Sequence, residues 1–189
     1  MHKFLLLALI ATSLLLANRA TAFETNGKVW PEMPIKYYVN PLDCPEVEAQ
    51  DGGTLTIVDI AGIATQAWGG VACANVSFQY MGTTEATWEA DGMNVIYCVS
   101  DPEEWAFGTG AAGATVWIPQ QNDDDPMEVD LALNAAELIW KDGGGTALDS
   151  DVLDPQALIT HELGHWLGMS HTPAPYATMY FATLPNAMQ

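Results

Sequence analysis

Leu55, Val58, Ala61, Ala64 and Trp68 recur at steps of three and four, a spacing that predicts an amphipathic helix over residues 55–68, stopped by Gly69 and Gly70. Most of the other patterned stretches read as strand. "IKYYVN" (35–40) predicts a strand closed by Pro41, and "NVSFQYM" (75–81) and "NVIYCV" (94–99) predict two more across a turn-prone stretch. "GATVWIP" (113–119) predicts a fourth, and the alternation of "EVDLALN" (128–134) a fifth. "DGGGTALDSD" (142–151) reads as loop. A second helix opens at "DPQALITHELGHWLG", where Asp154 suits the N-cap, Pro155 the first helical position and Gly168 the stop. Internal repeats are absent from the sequence.

The longest apolar run stands at the start, from Phe4 to Ala17, behind His2 and Lys3 and ahead of Ala20-Thr21-Ala22. That is the layout of a secretory signal peptide over residues 1–22, with cleavage expected after Ala22. Asn18 and Arg19 interrupt the run well short of the roughly 20 apolar residues that a spanning helix needs. Phe23, rather than a cysteine, follows the cut, so no lipid anchor is expected. Residues 23–189 are enough for one domain with its own core. The expected location is extracellular or periplasmic, with no membrane association in the mature form.

Charge narrows the partners. Past residue 22 only Lys28, Lys36 and Lys141 stand against 24 acidic residues, a net charge of −21. Such a surface repels nucleic acid and anionic membranes, and most of its carboxylates need no role beyond solubility. In an oxidising compartment the three cysteines allow one disulfide and one leftover thiol. The pair expected is Cys44 with Cys73, each at the edge of an element, with Cys98 inside "NVIYCV" as a buried free thiol. Asn75-Val76-Ser77 is a sequon that matters only in a glycosylating host.

The candidate chemistry is concentrated in "HELGHWLGMSH" (161–171). On a helix His161 and His165 share a face, while Leu163 and Leu167 point to the opposite side, toward a core. Glu162 falls between the two, near a metal without being bound to it. Gly168 lets the chain turn and brings His171 round as a third nitrogen ligand. Three imidazoles with one open position make the catalytic type of zinc site, with Glu162 placed as general base for amide hydrolysis. A bare H-E-x-x-H also arises by accident. Here Gly168 and His171 keep further offsets, and every histidine after His2 lies in this motif.

H-E-x-x-H-x-x-G-x-x-H resembles the zinc signature of the metzincin metalloproteases, and "YATMYF" supplies Met179 where that family carries its methionine turn. Thr172 after the third histidine, and Phe181 two residues after Met179, resemble the matrixins of the compact bacterial kind. "WPEMPIKYYVN" and "EVDLALN" are similar to the opening and the pre-helix strand of the matrixin catalytic domain. The resemblance covers most of residues 28–181. It implies an α+β zincin domain, a twisted, mixed five-stranded sheet with an N-terminal helix and an active-site helix. It further implies one catalytic zinc on His161, His165 and His171, Glu162 as catalytic base, and Met179 as a non-ligating floor. An extended protein or peptide substrate would pair with an edge strand at "GATVWI". A monomer is expected.

The chain also departs from the family. No propeptide segment with a zinc-capping cysteine lies between Ala22 and "GKVWPEMP", and no histidines remain for a second, structural zinc. "QNDDDP" (121–126) and Asp130 offer oxygen ligands for calcium, against the plainer reading of a solvated acidic loop. The family's closing C-terminal helix is missing before Gln189, so a fragment or truncated product is expected. Two rival readings stand beside the secreted zinc endopeptidase. One is a zinc-holding, non-hydrolytic binding module, against which the intact Glu162 argues. The other is a zinc hydrolase with a non-peptide substrate.

Overall fold

Strands outnumber helices in the computed structural model, which describes residues 24–108, 110–119, 127–143 and 152–180. The expected signal peptide, the acidic loop at 121–126 and Phe181 lie outside those residues. In chain order the elements are β1 (Glu24–Thr25), β2 (Ile35–Val39), β3 (Val47–Glu48), β4 (Thr54–Leu55), α1 (Ile57–Gly69), β5 (Phe78–Thr83), β6 (Val95–Val99), β7 (Gly113–Ile118), β8 (Glu128–Asn134), β9 (Ile139–Trp140), β10 (Val152–Leu153), α2 (Pro155–Trp166) and β11 (Met169–Ser170). The fold is α+β, with five strands in one mixed sheet of order β5-β2-β6-β8-β7. Strands β5, β2, β6 and β8 run parallel, and β7 pairs antiparallel with β8 at the edge.

Local chemistry sets the helix starts. Thr56 accepts from the Asp59 amide while the Asp59 carboxylate accepts from the Thr56 amide, a capping box that begins α1 two residues later than the apolar spacing predicts. Asp154 caps α2 as expected, accepting from the amides of Gln156 and Ala157. Both helices pack on one face of the sheet. Ile60, Ala61 and Ala64 of α1 and Leu158, Ile159, Leu163 and Trp166 of α2 join Ile35, Val39, Ile96, Val129, Leu131 and Leu133 in one core. Each large aliphatic side chain buried there contributes roughly 1.5–3 kcal/mol. The Trp68 indole donates to the Thr160 carbonyl at 2.8 Å and ties the two helices together.

The alternation in β8 predicts one wet face, yet all seven of its residues are at least nine-tenths buried. The second face carries Val95, Tyr97 and Ala132, covered by Ala86, Met93, Trp105 and Phe107. Several polar groups there bind backbone. Glu128 accepts from the amides of Asp91 and Gly92, Asp130 from Val95, and Asn94 from Val129. Asp130, one of the residues considered for calcium, is thus enclosed beneath the loop that leads into β6.

The disulfide corrects the sequence reading. It joins Cys44 to Cys98, with Cα atoms 5.1 Å apart, and leaves Cys73 free and exposed. Because β2 lies beside β6, the turn that follows β2 passes over β6, where Cys98 points into the core. Cys73 sits in the turn after α1. Proximity across the sheet decided the pairing, and position at the edges of elements did not.

Candidate metal centre

α2 carries His161 and His165 on its last turns, and the chain turns back immediately afterwards. Leu167 caps the helix and Gly168 follows at φ +84°, in the left-handed region. A side chain at Gly168 would also overlap the carbonyl of Lys28, because β1 pairs antiparallel with β11 and the Asn26 amide donates to the Gly168 carbonyl at 2.8 Å. The amino-terminal segment therefore clamps the turn that carries His171.

The three rings meet. His161 Nε2 and His165 Nε2 each lie 3.2 Å from His171 Nε2. At the far side of each helical ring Nδ1 faces a main-chain carbonyl, His161 that of Thr178 at 2.6 Å and His165 that of Met169 at 2.7 Å. A carbonyl only accepts, so both Nδ1 atoms carry the proton and both Nε2 atoms present a bare lone pair. Burial favours the neutral ring: it pulls the His161 imidazole down to about 4 and lowers His165 and His171 as well. Bare lone pairs directed at a common point suit a cation. A tetrahedron of nitrogens at roughly 2.0–2.1 Å from a divalent ion has edges of about 3.3 Å, close to the separations found. The three histidines can hold one metal ion.

Glu162 stands beside them, 6 % exposed, on the wall of the same cleft. Burial pushes its carboxyl up to about 7, against the opposing pull of hydrogen bonds from Thr115. Met179 is buried under the centre. Its sulfur lies so close to Gly164 that a Cβ at that position would overlap it. The Thr172 amide donates to the Met179 carbonyl at 2.7 Å, closing the loop that presents the Thr178 carbonyl to His161. The cleft, of about 650 Å³, runs along β7 and is also bordered by Asn26, Trp117, Leu158 and Tyr180.

All four site residues expected from the sequence, His161, Glu162, His165 and His171, converge here. The carbonyls of Thr178 and Met169, the Thr115 hydroxyl and the amino-terminal wall at Asn26 were not anticipated. Only Thr115 had a signal. Gly113, Thr115 and Trp117 alternate on one face of "GATVWI", and on an edge strand next to the active helix that face must meet it. Comparison with models of protein families found none that matches this chain, and comparison with curated proteins found no match either.

Proposed function

We propose that this chain is an exported zinc-dependent endopeptidase of the metzincin kind, matrixin-like in its zinc motif. The observation that carries the reading is the meeting of three Nε2 atoms, those of His161 and His165 proton-free, beside a buried glutamate, in a cleft bounded by an edge strand. All-nitrogen donors and a compact three-ring set favour zinc among the common divalent ions. When bound, zinc supplies Lewis-acid polarisation of a carbonyl and lowers the pKa of water to about 7.

The chain's own groups do the rest. The Glu162 carboxylate takes the proton from the water that attacks the scissile carbonyl and returns it to the departing amine. Its high pKa suits both halves of that exchange near neutrality. Among the described residues β7 is an edge strand, where an extended peptide can add alongside, which supports a polypeptide substrate over a small ester. No covalent intermediate is required. Thr178 and Met169 keep His161 and His165 in the tautomer that leaves Nε2 bare.

The test is incubation of the mature chain with an unstructured protein, with and without chelator, beside Glu162→Ala. Chelator-sensitive cleavage that the substitution abolishes is the expected result. Metal uptake without any cleavage would instead select the non-hydrolytic binding module.

A further inference from the structure

Glu162 has a carboxylate buried at the base of β7, and the side of the strand that meets it is built of unusual parts. Gly113 has no side chain there: a Cβ would come within 3.1 Å of the Glu162 Cγ and Oε1 and of Leu158 Cδ1. Two residues on, Thr115 Oγ1 donates to Glu162 Oε2 at 2.8 Å and lies 3.2 Å from the Glu162 main-chain oxygen. The main-chain amide of Thr115 also reaches the carboxylate, so both polar groups of this one residue serve it. Thr115 belongs to the antiparallel ladder, opposite Leu131, so its position is set by the sheet rather than by a loop.

We infer that Thr115 is the positioning residue of Glu162. Its hydroxyl fixes Oε2 and Gly113 admits the carboxylate against the strand, so that the group is held in one orientation for proton exchange. The inference rests on the peptidase reading of the site. A carboxylate on a flexible side chain can rotate about its last torsion, and a misplacement of even 1 Å at a proton-transfer site is costly. A hydroxyl donor carried on a rigid strand removes that freedom. A purely structural role would require only that the buried carboxylate be satisfied, and would leave turnover unaffected once the protein is folded and metal-loaded.

Thr115→Val keeps the shape and removes the donor, and Thr115→Ser keeps the donor. Steady-state cleavage of an unstructured peptide by the full metal-loaded chain is expected to show kcat down roughly tenfold in Thr115→Val, with KM and metal content unchanged, and most of the loss recovered in Thr115→Ser. Thermal unfolding of Thr115→Val, Glu162→Met and the double variant supplies a readout apart from activity. The Thr115→Val decrement should shrink by about 3 °C when Glu162 is already replaced. If the wild type cleaves and Thr115→Val turns over equally fast, or a loss is not recovered by serine, or the two decrements simply add, the inference falls while the peptidase reading stands. A wild type that loads metal and cleaves nothing overturns the peptidase reading and the inference together.

Discussion

The His161 ring donates from Nδ1 to the carbonyl oxygen of Thr178, 2.6 Å away and 17 positions along the chain. A main-chain acceptor cannot be removed by changing a side chain, so the ring is only as well oriented as the loop that carries Thr178. That loop is seated by Met179 against Gly164. Gly164→Ala places a methyl group on the methionine sulfur and should cost about 1–3 kcal/mol by overpacking. It should also weaken metal binding roughly tenfold or more, since the partner that orients a ligand is disturbed. Competition with a chromophoric chelator, alongside thermal unfolding, reads both; unchanged metal affinity would mean that the loop does not set the ring.

Metal should stabilise the fold. An ion that binds only the native chain adds stability in proportion to the logarithm of its excess over Kd, about 4 kcal/mol at a thousandfold excess. Chelation is therefore expected to lower Tm by some degrees. His165→Ala should remove the difference between metal-loaded and chelated samples without much change to the chelated value. A Tm indifferent to both would argue that the three rings hold no ion.

Asp130 gives stability a pH dependence away from the metal centre. Burial pushes its carboxyl up to about 7, with Glu128 and Asp91 adding repulsion and the Val95 and Glu89 amides opposing it. Among the described residues its Oδ2 and the Tyr97 hydroxyl are both enclosed without a partner, and the Tyr97 phenol is itself raised by burial and by Asp130. Between the unfolded value of 3.8 and about 7 the native state holds the proton that the unfolded chain has released. Stability from this group is therefore greatest at low pH and is lost as pH rises through that window, by up to about 1.4 kcal/mol per unit. Asp130→Asn should flatten the difference. Urea midpoints of the two proteins at pH 5 and pH 8 decide it: a gap that does not change with pH would contradict the assignment.

Only Cys73 should react with a maleimide in the folded, unreduced protein, one label per chain, rising to three after reduction and unfolding. The bond between Cys44 and Cys98 closes a separation of 54 residues, for which chain entropy gives about 4 kcal/mol. Cys44→Ala with Cys98→Ala should lower the urea midpoint accordingly, while Cys73→Ser should leave it in place. Peptide mapping that linked Cys73 to either partner would refute this arrangement.

Most elements were legible because they answer to local rules. The strands at residues 35–39, 95–99, 113–118 and 128–134 fall where β-rich runs placed them, and Asp154 caps α2 as its residue type requires. The strand expected over 75–81 instead begins at Phe78 and reaches Thr83, since its pairing with β2 rather than its own composition set the ends. For β8 the alternation located the strand, while its surroundings came from the fold. Glu128 and Asp130 look solvent-facing in the sequence, but a loop covers their face and takes their oxygens for its amides.

What the sequence determined by itself was the candidate site: three histidines and a glutamate in an eleven-residue motif, with helical periodicity and the turn at Gly168, define which atoms can meet. Tertiary structure alone decided which tautomer His161 adopts, what holds the Glu162 carboxylate, and which cysteine pairs with Cys44. Those depend on Thr178, Thr115 and Cys98, residues far along the chain from their partners. Spacing governs contacts within a helical turn, whereas contacts across the sheet follow from strand order, and nothing in a local stretch encodes its neighbour in space.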